Sequence, residues 1–478
     1  MLPTTTTTPP PPSATGRHHS TAKKPTKLKL QLQISPRLCG WLVFTAFLQF
    51  FFLNFLRNSS SSSSSSTADE PSCPLGKIHV YDLPASLNRA FLDDCANLDP
   101  WSNRCSAFSH SGFGPPADSL RTLIPPDLLP AWRWTDMYSG ELIYHSRLLD
   151  SPCTTPHPNE ASAFYIPFYA GLAVGRYLFA NYTTAQRDAH ALRMLDWVST
   201  REPFRRSNGS DHFIMLGRLT WDFRRLTEND DDWGTKLSLM PPMKNVLRLL
   251  VQRSPWDPLE VSVPYPTGFH PRTWSDMSRW QGFVREKERA SLFTFVGAAR
   301  RKIRNDFRGL LIDYCRGEEQ GKCRLVDCAA SKTKCDDGVP TIMEAFLGSD
   351  FCLQPKGDGS TRRSTFDCML AGSIPVFFWR ESFESQYEWH LPENASSYSV
   401  YIDRQAVRND SSVIRRVLEG YSREDVRRMR ETIVGFLPRM VYSMTDTSNK
   451  GFKDAFDVAM EGVLRRFEEG RKMREKRS

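Results

Sequence analysis

The sequence has 478 residues, of which 24% are charged and 40% hydrophobic, as in a globular protein with room for two domains. Its net charge of +9 is concentrated at one end, because seven of the 63 lysines and arginines precede the first acidic residue, Asp69. The rest of the chain contains 56 basic and 54 acidic residues. This near-neutral balance excludes a folded part that binds nucleic acid through a basic face.

The first 72 residues predict a cytosolic tail, a membrane anchor and a stem. Residues 1–37 are rich in Thr, Pro and Lys and are predicted to be disordered. Residues 38–56 carry no charge and suffice for roughly 28 Å of helix, enough for a thin bilayer. A cleaved signal peptide is the alternative, but its apolar stretch usually has only about 7–15 residues. The preceding positive charges predict a cytosolic N-terminus, and the serine-rich residues 57–72 predict a flexible stem.

Cysteines and glycosylation signals beyond the predicted anchor indicate an oxidising secretory compartment. Ten cysteines follow the anchor, an even number that favours disulfide bonds. A zinc site between Cys315 and Cys335 is the alternative, but this run contains neither close C-x2-C pairs nor a histidine. A luminal location also agrees with five N-x-S/T sequons, at Asn58, Asn181, Asn208, Asn394 and Asn409.

Apolar runs alternate with amphipathic segments along the rest of the chain. Strands are predicted at 77–83, 163–167, 212–217, 291–297, 351–354 and 374–379. Helices are predicted at 187–200, at 364–371 and around a face formed by Ile303, Phe307, Leu310, Leu311 and Tyr314. The proline-rich residues 263–271 are interpreted as a linker. This alternation predicts two α/β halves with mainly parallel sheets and a cleft between them.

The strongest chemical signal is the stretch DFCLQPKGDGSTRRSTFDCMLAGSIPVFFW. Gly357 and Gly359 follow a predicted strand, and Arg362 and Arg363 open a predicted helix. Backbone amides, the positive end of a helix and guanidinium groups together favour a diphosphate. Asp367, one turn further on, suits ribose hydroxyls. The alternative is an ordinary strand–turn–helix with solvated arginines.

This stretch resembles the C-terminal motif of exostosin-type glycosyltransferases, particularly the plant branch of xyloglucan side-chain galactosyltransferases. Six further stretches resemble motifs of the same family in the same order, at 77–88, 137–149, 159–172, 212–225, 263–271 and 293–304. The resemblance extends over roughly residues 73–465, nearly all of the predicted luminal part.

The resemblance implies an α/β fold of the GT-B type, with two Rossmann-like domains facing a cleft, after the N-terminal transmembrane helix. It implies an acceptor-side domain at 73–265, a nucleotide-sugar-binding domain at 266–440 and a C-terminal helix at 441–478. The implied reaction inverts the sugar configuration, so a base must deprotonate the acceptor hydroxyl. No cofactor or metal is expected if cationic side chains and a helix end stabilise the leaving diphosphate.

Two sets of site residues follow from these motifs. Glu141, in the family-like MYSGE stretch, is the first choice for the base, and Asp222 and His212 are the alternatives. A buried carboxylate held by backbone amides is the structural alternative for Glu141. The predicted nucleotide-sugar-binding residues are Arg300, Lys356, Gly357, Gly359, Ser360, Thr361, Arg362, Arg363 and Asp367.

Two further patterns are candidates for a metal site or a carbohydrate site. Asp230–Asp232 contains the D-x-D pattern of manganese-dependent transferases, but its acidic, polar surroundings predict a solvated turn instead. Aromatic rings suit the apolar faces of sugars, although large aromatics more often fill a core. One or two tryptophans are therefore expected to line an acceptor groove, chosen from Trp221, Trp233, Trp256, Trp274 and Trp280.

Together with the predicted anchor, the resemblance implies a single-pass type II protein of the Golgi membrane that transfers β-galactose from UDP-galactose to xylosyl side chains of xyloglucan. Other Golgi glycosyltransferases are expected partners, and nucleic acid is not. Two alternatives stay open: UDP-galacturonate or a pentose donor, and a non-catalytic glycan-binding subunit of a Golgi complex. A hydrolase requires two carboxylates at a defined separation, and no segment suggests such a pair.

Overall fold

The computed structural model describes Gln49 and residues 73–98, 105–178, 181–300, 302–329, 335, 340–444 and 450–476. Apart from Gln49, the predicted tail, anchor and stem lie outside these residues, and so does Asn58. Among the helices that are described, none is both long and apolar enough to cross a membrane. The chain divides into two units, Met1–Glu70 and Pro71–Ser478, and both β-sheets lie in the second.

The N-terminal half contains a five-stranded sheet whose strands are all parallel and lie side by side in sequence order. The strands are β1 (Lys77–Val80), β2 (Ala161–Tyr165), β3 (His212–Met215), β4 (Leu247–Leu250) and β5 (Glu260–Ser262). The helices are α1 (Ala85–Asp93), α2 (Gly140–Leu149), α3 (Ala170–Gly175), α4 (Thr184–Ser199) and α5 (Glu202–Ser207). Every residue of β3 and β4 is buried, as expected for parallel strands covered on both faces.

The C-terminal half contains a second five-stranded parallel sheet. Its strands are β6 (Ser291–Gly297), β7 (Cys323–Asp327), β8 (Ser349–Gln354), β9 (Ile374–Phe377) and β10 (Val400–Tyr401), in the order β10-β9-β8-β6-β7. Its helices are α6 (Trp274–Glu286), α7 (Phe307–Gly317), α8 (Pro340–Leu347), α9 (Arg363–Leu370), α10 (Arg404–Asn409), α11 (Val413–Glu419) and α12 (Arg423–Phe436). Two parallel α/β halves are therefore present, as predicted.

The start of α7 corrects the predicted helix. Ile303 was placed on its buried face, but the helix begins at Phe307 and Ile303 is 51% exposed. The side chain of Asp306 caps the helix by accepting a hydrogen bond from the Arg308 N–H. Phe307 and Leu311 form the buried face.

The proline-rich residues 263–271, interpreted as a linker, are buried along their whole length. The Phe269 ring lies 5.3 Å from the rings of both Trp132 and Trp280. His270 bonds through its two ring nitrogens to Thr135 and to the Tyr442 carbonyl. The segment is therefore part of the core between the halves. Its polar groups are tolerated there because they have buried hydrogen-bond partners.

After the second half, the chain returns to the first through the last helix, α13 (Ala455–Glu475), which packs against β2. The carboxylate of Asp454, which caps α13, lies 2.6 Å from the Arg147 guanidinium, and both groups are buried. Lys450 approaches the same carboxylate at 3.1 Å. These cations lower the pKa of Asp454 to about 2 despite its burial.

All ten cysteines beyond the predicted anchor form disulfide bonds, which confirms the disulfide prediction over a zinc site. The pairs are Cys73–Cys153, Cys95–Cys105, Cys315–Cys323, Cys328–Cys335 and Cys352–Cys368.

Candidate active site

A cavity of about 310 Å³ lies between the two halves, beyond the carboxyl ends of the second sheet. Gly297 ends β6 at its wall, and the loop between β8 and α9 supplies Gly357 and Gly359. The first half contributes residues such as Tyr138 and Leu219. A crevice at the carboxyl ends of parallel strands is where α/β folds bind ligands.

Four arginines of the second half line this cavity, and three of them, Arg300, Arg308 and Arg362, come from different parts of the chain. Burial lowers the pKa of Arg362 to about 9, and the charges of Arg308 and Arg300 add to this effect. Burial and the Arg300 charge likewise lower the pKa of Arg308 to about 10. Asp358 contacts the Arg300 guanidinium but is 68% exposed. The cavity therefore holds excess positive charge, which favours a ligand with two negative charges.

The glycine loop also contacts the first half directly. A Cβ atom at Gly359 would lie 2.0 Å from Gln252 Oε1, so no larger residue fits without movement. The same oxygen accepts a hydrogen bond from the Thr361 N–H at 3.2 Å. Ser360 accepts from Ser382 through its carbonyl. Lys356 is exposed and does not line the cavity. The loop is thus positioned by both halves.

Arg363 lines the cavity and also connects the halves. It donates to the Thr135 carbonyl at 2.5 Å and lies 3.2 Å from the Asp367 carboxylate, one turn along α9. Asp367 lines the cavity as well. Part of the positive charge of Arg363 is therefore already matched within the protein.

We expect Arg363→Ala to lower the melting temperature and to weaken UDP binding severalfold. The substitution removes a buried charged hydrogen bond between the halves, worth about 1.5–3 kcal/mol. Thermal unfolding and calorimetric titration with UDP measure the two effects. An unchanged melting temperature would contradict the connecting role of Arg363.

Glu141 does not line the cavity, and its side chain is completely buried. Its carboxylate accepts N–H groups from Gly171 at 2.6 Å and Leu172 at 3.4 Å, at the start of α3. Burial raises its pKa to about 8, although these amides and the nearby Arg218 lower it. The Arg218 guanidinium stacks 4.4 Å from the ring centre of Tyr138, a residue of the cavity wall. Arg218 and Tyr138 thus connect Glu141 to the cavity.

The two alternative bases lie in different places. Asp222 is buried beyond β3, accepts from Trp233 Nε1 at 2.7 Å and has a pKa raised by burial. His212 is the first residue of β3, at the end of the sheet away from the cavity. Its ring nitrogens bond to Asp211 at 2.6 Å and Tyr81 at 2.8 Å. Neither residue lines the cavity.

The sequence comparisons identify the family. The model described as the Exostosin GT47 domain matches residues 72–417. The chain belongs to the exostosin GT47 family. Xyloglucan galactosyltransferase XLT2 of Arabidopsis thaliana is 54% identical over 84% of this chain and 76% of that protein.

Two more Arabidopsis thaliana relatives match over most of this chain. Xyloglucan galactosyltransferase MUR3 is 40% identical over 83% of this chain and 64% of its own length. Xyloglucan-specific galacturonosyltransferase 1 is 37% identical over 83% of this chain and 58% of its own length. This chain thus spans less than two thirds of these two proteins. Among solved structures, an α-glucosyltransferase in complex with UDP matches with TM-score 0.31 and 10% identity, over 60% of this chain and 78% of that chain.

Membership of GT47 confirms the predicted family resemblance, the glycosyltransferase class and the two-domain α/β fold of the GT-B type. The structure brings seven predicted nucleotide-sugar-binding residues to one cavity: Arg300, Gly357, Gly359, Thr361, Arg362, Arg363 and Asp367. It leaves Lys356 and Ser360 in the same loop but outside the cavity wall. Their individual roles stay predictions.

Two charged cavity residues of this GT47 chain do not follow from the sequence motifs. Arg308 follows the helix cap Asp306, so its place in the first turn of a helix was a usable signal. Asp358 lies between the two glycines that were singled out. Neither signal reveals that Arg308 and Asp358 meet Arg300 across the cavity.

The remaining predicted sites lie on the surface of the GT47 domain. Asp230–Asp232 is an exposed loop in which Asp230 accepts from the Thr184 N–H at 2.6 Å. Within the described residues, no three His, Cys, Asp or Glu side chains are grouped to hold a metal ion. Four of the five predicted glycosylation sites are described and exposed: Asn181, Asn208, Asn394 and Asn409.

Proposed function

We propose that this GT47 protein transfers galactose, with inversion, from UDP-galactose to xylosyl side chains of xyloglucan. The proposal is supported by its similarity to Arabidopsis thaliana proteins named xyloglucan galactosyltransferases. The observation that carries the chemistry is the cavity lined by Arg300, Arg308 and Arg362, in which burial and neighbouring arginine charges lower the pKa of Arg308 and Arg362. A UDP diphosphate supplies the negative charge that this cluster lacks.

In the proposed reaction, an acceptor hydroxyl oxygen forms a bond to the anomeric carbon of galactose. The bond from that carbon to the UDP oxygen breaks on the opposite face, and UDP leaves with the bonding electrons. The three arginines stabilise the charge that develops on the diphosphate, so no metal ion is required. Glu141 is our proposed base for the acceptor proton; because its carboxylate is completely buried outside the cavity wall, the Arg218 and Tyr138 side chains that separate it from the cavity must move for the transfer. Burial raises the pKa of Glu141 to about 8, so the ionised carboxylate is a strong base and the fraction able to accept the proton increases as the pH rises towards 8.

We also propose that the protein is anchored in the Golgi membrane by residues 38–56, with the GT47 domain in the lumen. The support is the uncharged run in the sequence, the basic residues before it and the ten paired cysteines after it. Other Golgi glycosyltransferases are the proposed partners.

UDP-galacturonate is the second candidate donor, because one relative is named a xyloglucan-specific galacturonosyltransferase. A uronate carboxylate requires an additional cation near the sugar. The donor therefore has to be identified by experiment.

We expect the purified full-length chain to add one hexose to xyloglucan oligosaccharides from UDP-galactose without added metal and with EDTA present. Mass spectrometry of the products measures the added mass for a panel of UDP-galactose, UDP-galacturonate and UDP-pentoses. Addition of a uronic acid or a pentose would replace the proposed donor. No transfer from any donor, together with binding to xyloglucan, would favour the non-catalytic glycan-binding subunit.

A further inference from the structure

One buried cation near the active site, Arg218, is held without a hydrogen bond. Arg218 lies three residues beyond β3 and is 8% exposed. Among the described residues, its guanidinium donates no hydrogen bond, and its ion pair with Asp222 is long, at 3.9 Å between Nη1 and Oδ1. Burying a charged group with so little compensation costs stability. Groups kept in this way are concentrated at functional sites.

Arg218 lies beside Glu141, the proposed base. A Cβ atom at Gly171 would lie 3.1 Å from both Arg218 Cγ and Glu141 Oε1, so the two side chains meet over this glycine. Burial raises the pKa of both Glu141 and Asp222, and the positive charge of Arg218 opposes this increase in each. Arg218 is therefore one cation shared by two buried carboxyl groups.

The other ionisable groups that face Glu141 are two tyrosines, Tyr165 at the end of β2 and Tyr169 directly before α3. Burial raises the pKa of both phenols, so they are neutral wherever Glu141 titrates. Among the described residues, Arg218 is thus the charged group that favours the ionised form of Glu141.

A small second cavity of about 20 Å³ adjoins this group, with room for about one water molecule. Arg218 lines it together with Gly171 and Leu172, whose N–H groups bind the Glu141 carboxylate. Tyr138, on which the Arg218 guanidinium stacks, lines both this cavity and the active-site cavity. Arg218 itself does not line the active-site cavity, so its position allows it to act on the base without touching the nucleotide.

We propose that Arg218 is a positioning residue, the shared counter-charge of Glu141 and Asp222, and that it stabilises the ionised form of Glu141. This inference rests on the proposed function, because Arg218 acts on the reaction through the proposed base. Its removal therefore changes the pH dependence of turnover and leaves the affinity for UDP as it is.

The first test measures kcat as a function of pH. In Arg218→Gln, the rise of kcat with pH moves upwards by roughly one pH unit or more, because losing a nearby positive charge raises the pKa of a carboxyl group. At pH 7, kcat is then roughly tenfold lower than in the wild type, and it recovers at alkaline pH. Arg218→Lys keeps the charge and restores most of the wild-type profile. The Kd of UDP is the same in all three proteins.

Arg225→Gln is the matched control. Arg225 is a buried arginine of the same segment, but its guanidinium is paired with the Asp188 carboxylate, and its charge does not contribute to the pKa shift of Glu141. Its removal lowers the melting temperature, because a buried pair is broken, and leaves the pH profile of kcat unchanged. Equal shifts of the profile in Arg218→Gln and Arg225→Gln would overturn the inference, because loss of stability alone would then explain them.

Thermal unfolding of the full chain follows the ionisation of Glu141 without catalysis, and so separates this inference from the proposed function. The difference in melting temperature between wild type and Glu141→Gln changes with pH until Glu141 is ionised, near pH 8. When both proteins also carry Arg218→Gln, the change continues to higher pH. The same pH range in both pairs would overturn the inference, whatever the activity. An extended range without transfer activity, or with an unshifted kcat profile, would overturn the proposed function or the proposed base and leave the action of Arg218 on Glu141 in place.

Discussion

Arg362→Ala is expected to weaken UDP binding by roughly 10- to 100-fold, the range for losing one charged hydrogen bond to a phosphate. The same substitution is not expected to weaken the unliganded protein, whose stability should stay the same or increase. Burial and two neighbouring arginines lower the pKa of Arg362 from its ordinary value to about 9, so the charged form destabilises the empty fold. Removing this charge should leave the melting temperature unchanged or raise it, while the stabilisation by added UDP disappears.

The sign of the stability change follows from proton linkage. The pKa of Arg362 is lower in the folded than in the unfolded protein, so the unfolded state binds more protons between about pH 9 and 12.5. Below about pH 9, both states are charged and the folded state bears the full electrostatic penalty. An Arg362 that only held the fold together would instead lower the melting temperature when removed.

Lys356→Ala is the matched control for this experiment. Lys356 carries the same charge in the same loop, but it is exposed and outside the cavity wall. We expect its removal to change UDP affinity by less than about twofold, because exposed charges are screened by solvent. Equal losses for Arg362→Ala and Lys356→Ala would mean that diffuse positive charge, and not the arginine cluster, binds the nucleotide.

The parts of the site that sequence reasoning located are local in the chain. Gly357, Gly359, Arg362 and Arg363 lie within seven residues, so their spacing alone predicts that they meet a ligand together. Arg308 reaches the cavity from another helix. Its proximity to Arg362 depends on strand order, which no local pattern contains.

The same limit explains the elements that were missed. Strand β4 was not predicted because it is short and contains Arg248, a residue that rarely lies inside a buried strand. Arg248 is accommodated there because Asp257 and the Val246 carbonyl bind its guanidinium. The buried residues 263–271 were interpreted as a linker for a related reason. Proline prevents regular structure, but it does not prevent burial when distant partners satisfy the backbone.

Arg362 and Glu141 share one physical property: the fold keeps each ionisable group where its charged form is disfavoured. Burial outweighs the two amide bonds and the nearby Arg218, and raises the pKa of Glu141 to about 8. Strongly shifted groups of this kind are concentrated at functional sites, where activity is retained at the expense of stability. A carboxylate with a purely structural role, such as Asp454 beside Arg147, has its pKa lowered instead.

Glu141→Gln is therefore expected to lower kcat by about 100-fold or more, the effect of losing a general base, without changing UDP affinity. The folded pKa of Glu141 lies above its unfolded value of 4.5, so its contribution to stability is complete below about pH 4.5 and is lost as the pH rises through about 8. Glutamine does not ionise, so the variant does not lose this stability as the pH rises. Its melting temperature relative to wild type should increase between about pH 5 and 8 and remain constant above.

Asp454→Asn provides the structural contrast to Glu141→Gln. It leaves Arg147 and Lys450 with only the partly exposed Asp457 as counter-charge and should destabilise the protein by up to about 3–5 kcal/mol, with no change in kcat or UDP affinity at a temperature where it is folded. Turnover of Glu141→Gln within about threefold of wild type would remove Glu141 as the base. Its two amide bonds at the start of α3 would then be its whole role, and the pH dependence of the melting-temperature difference would persist, because the raised pKa does not depend on catalysis.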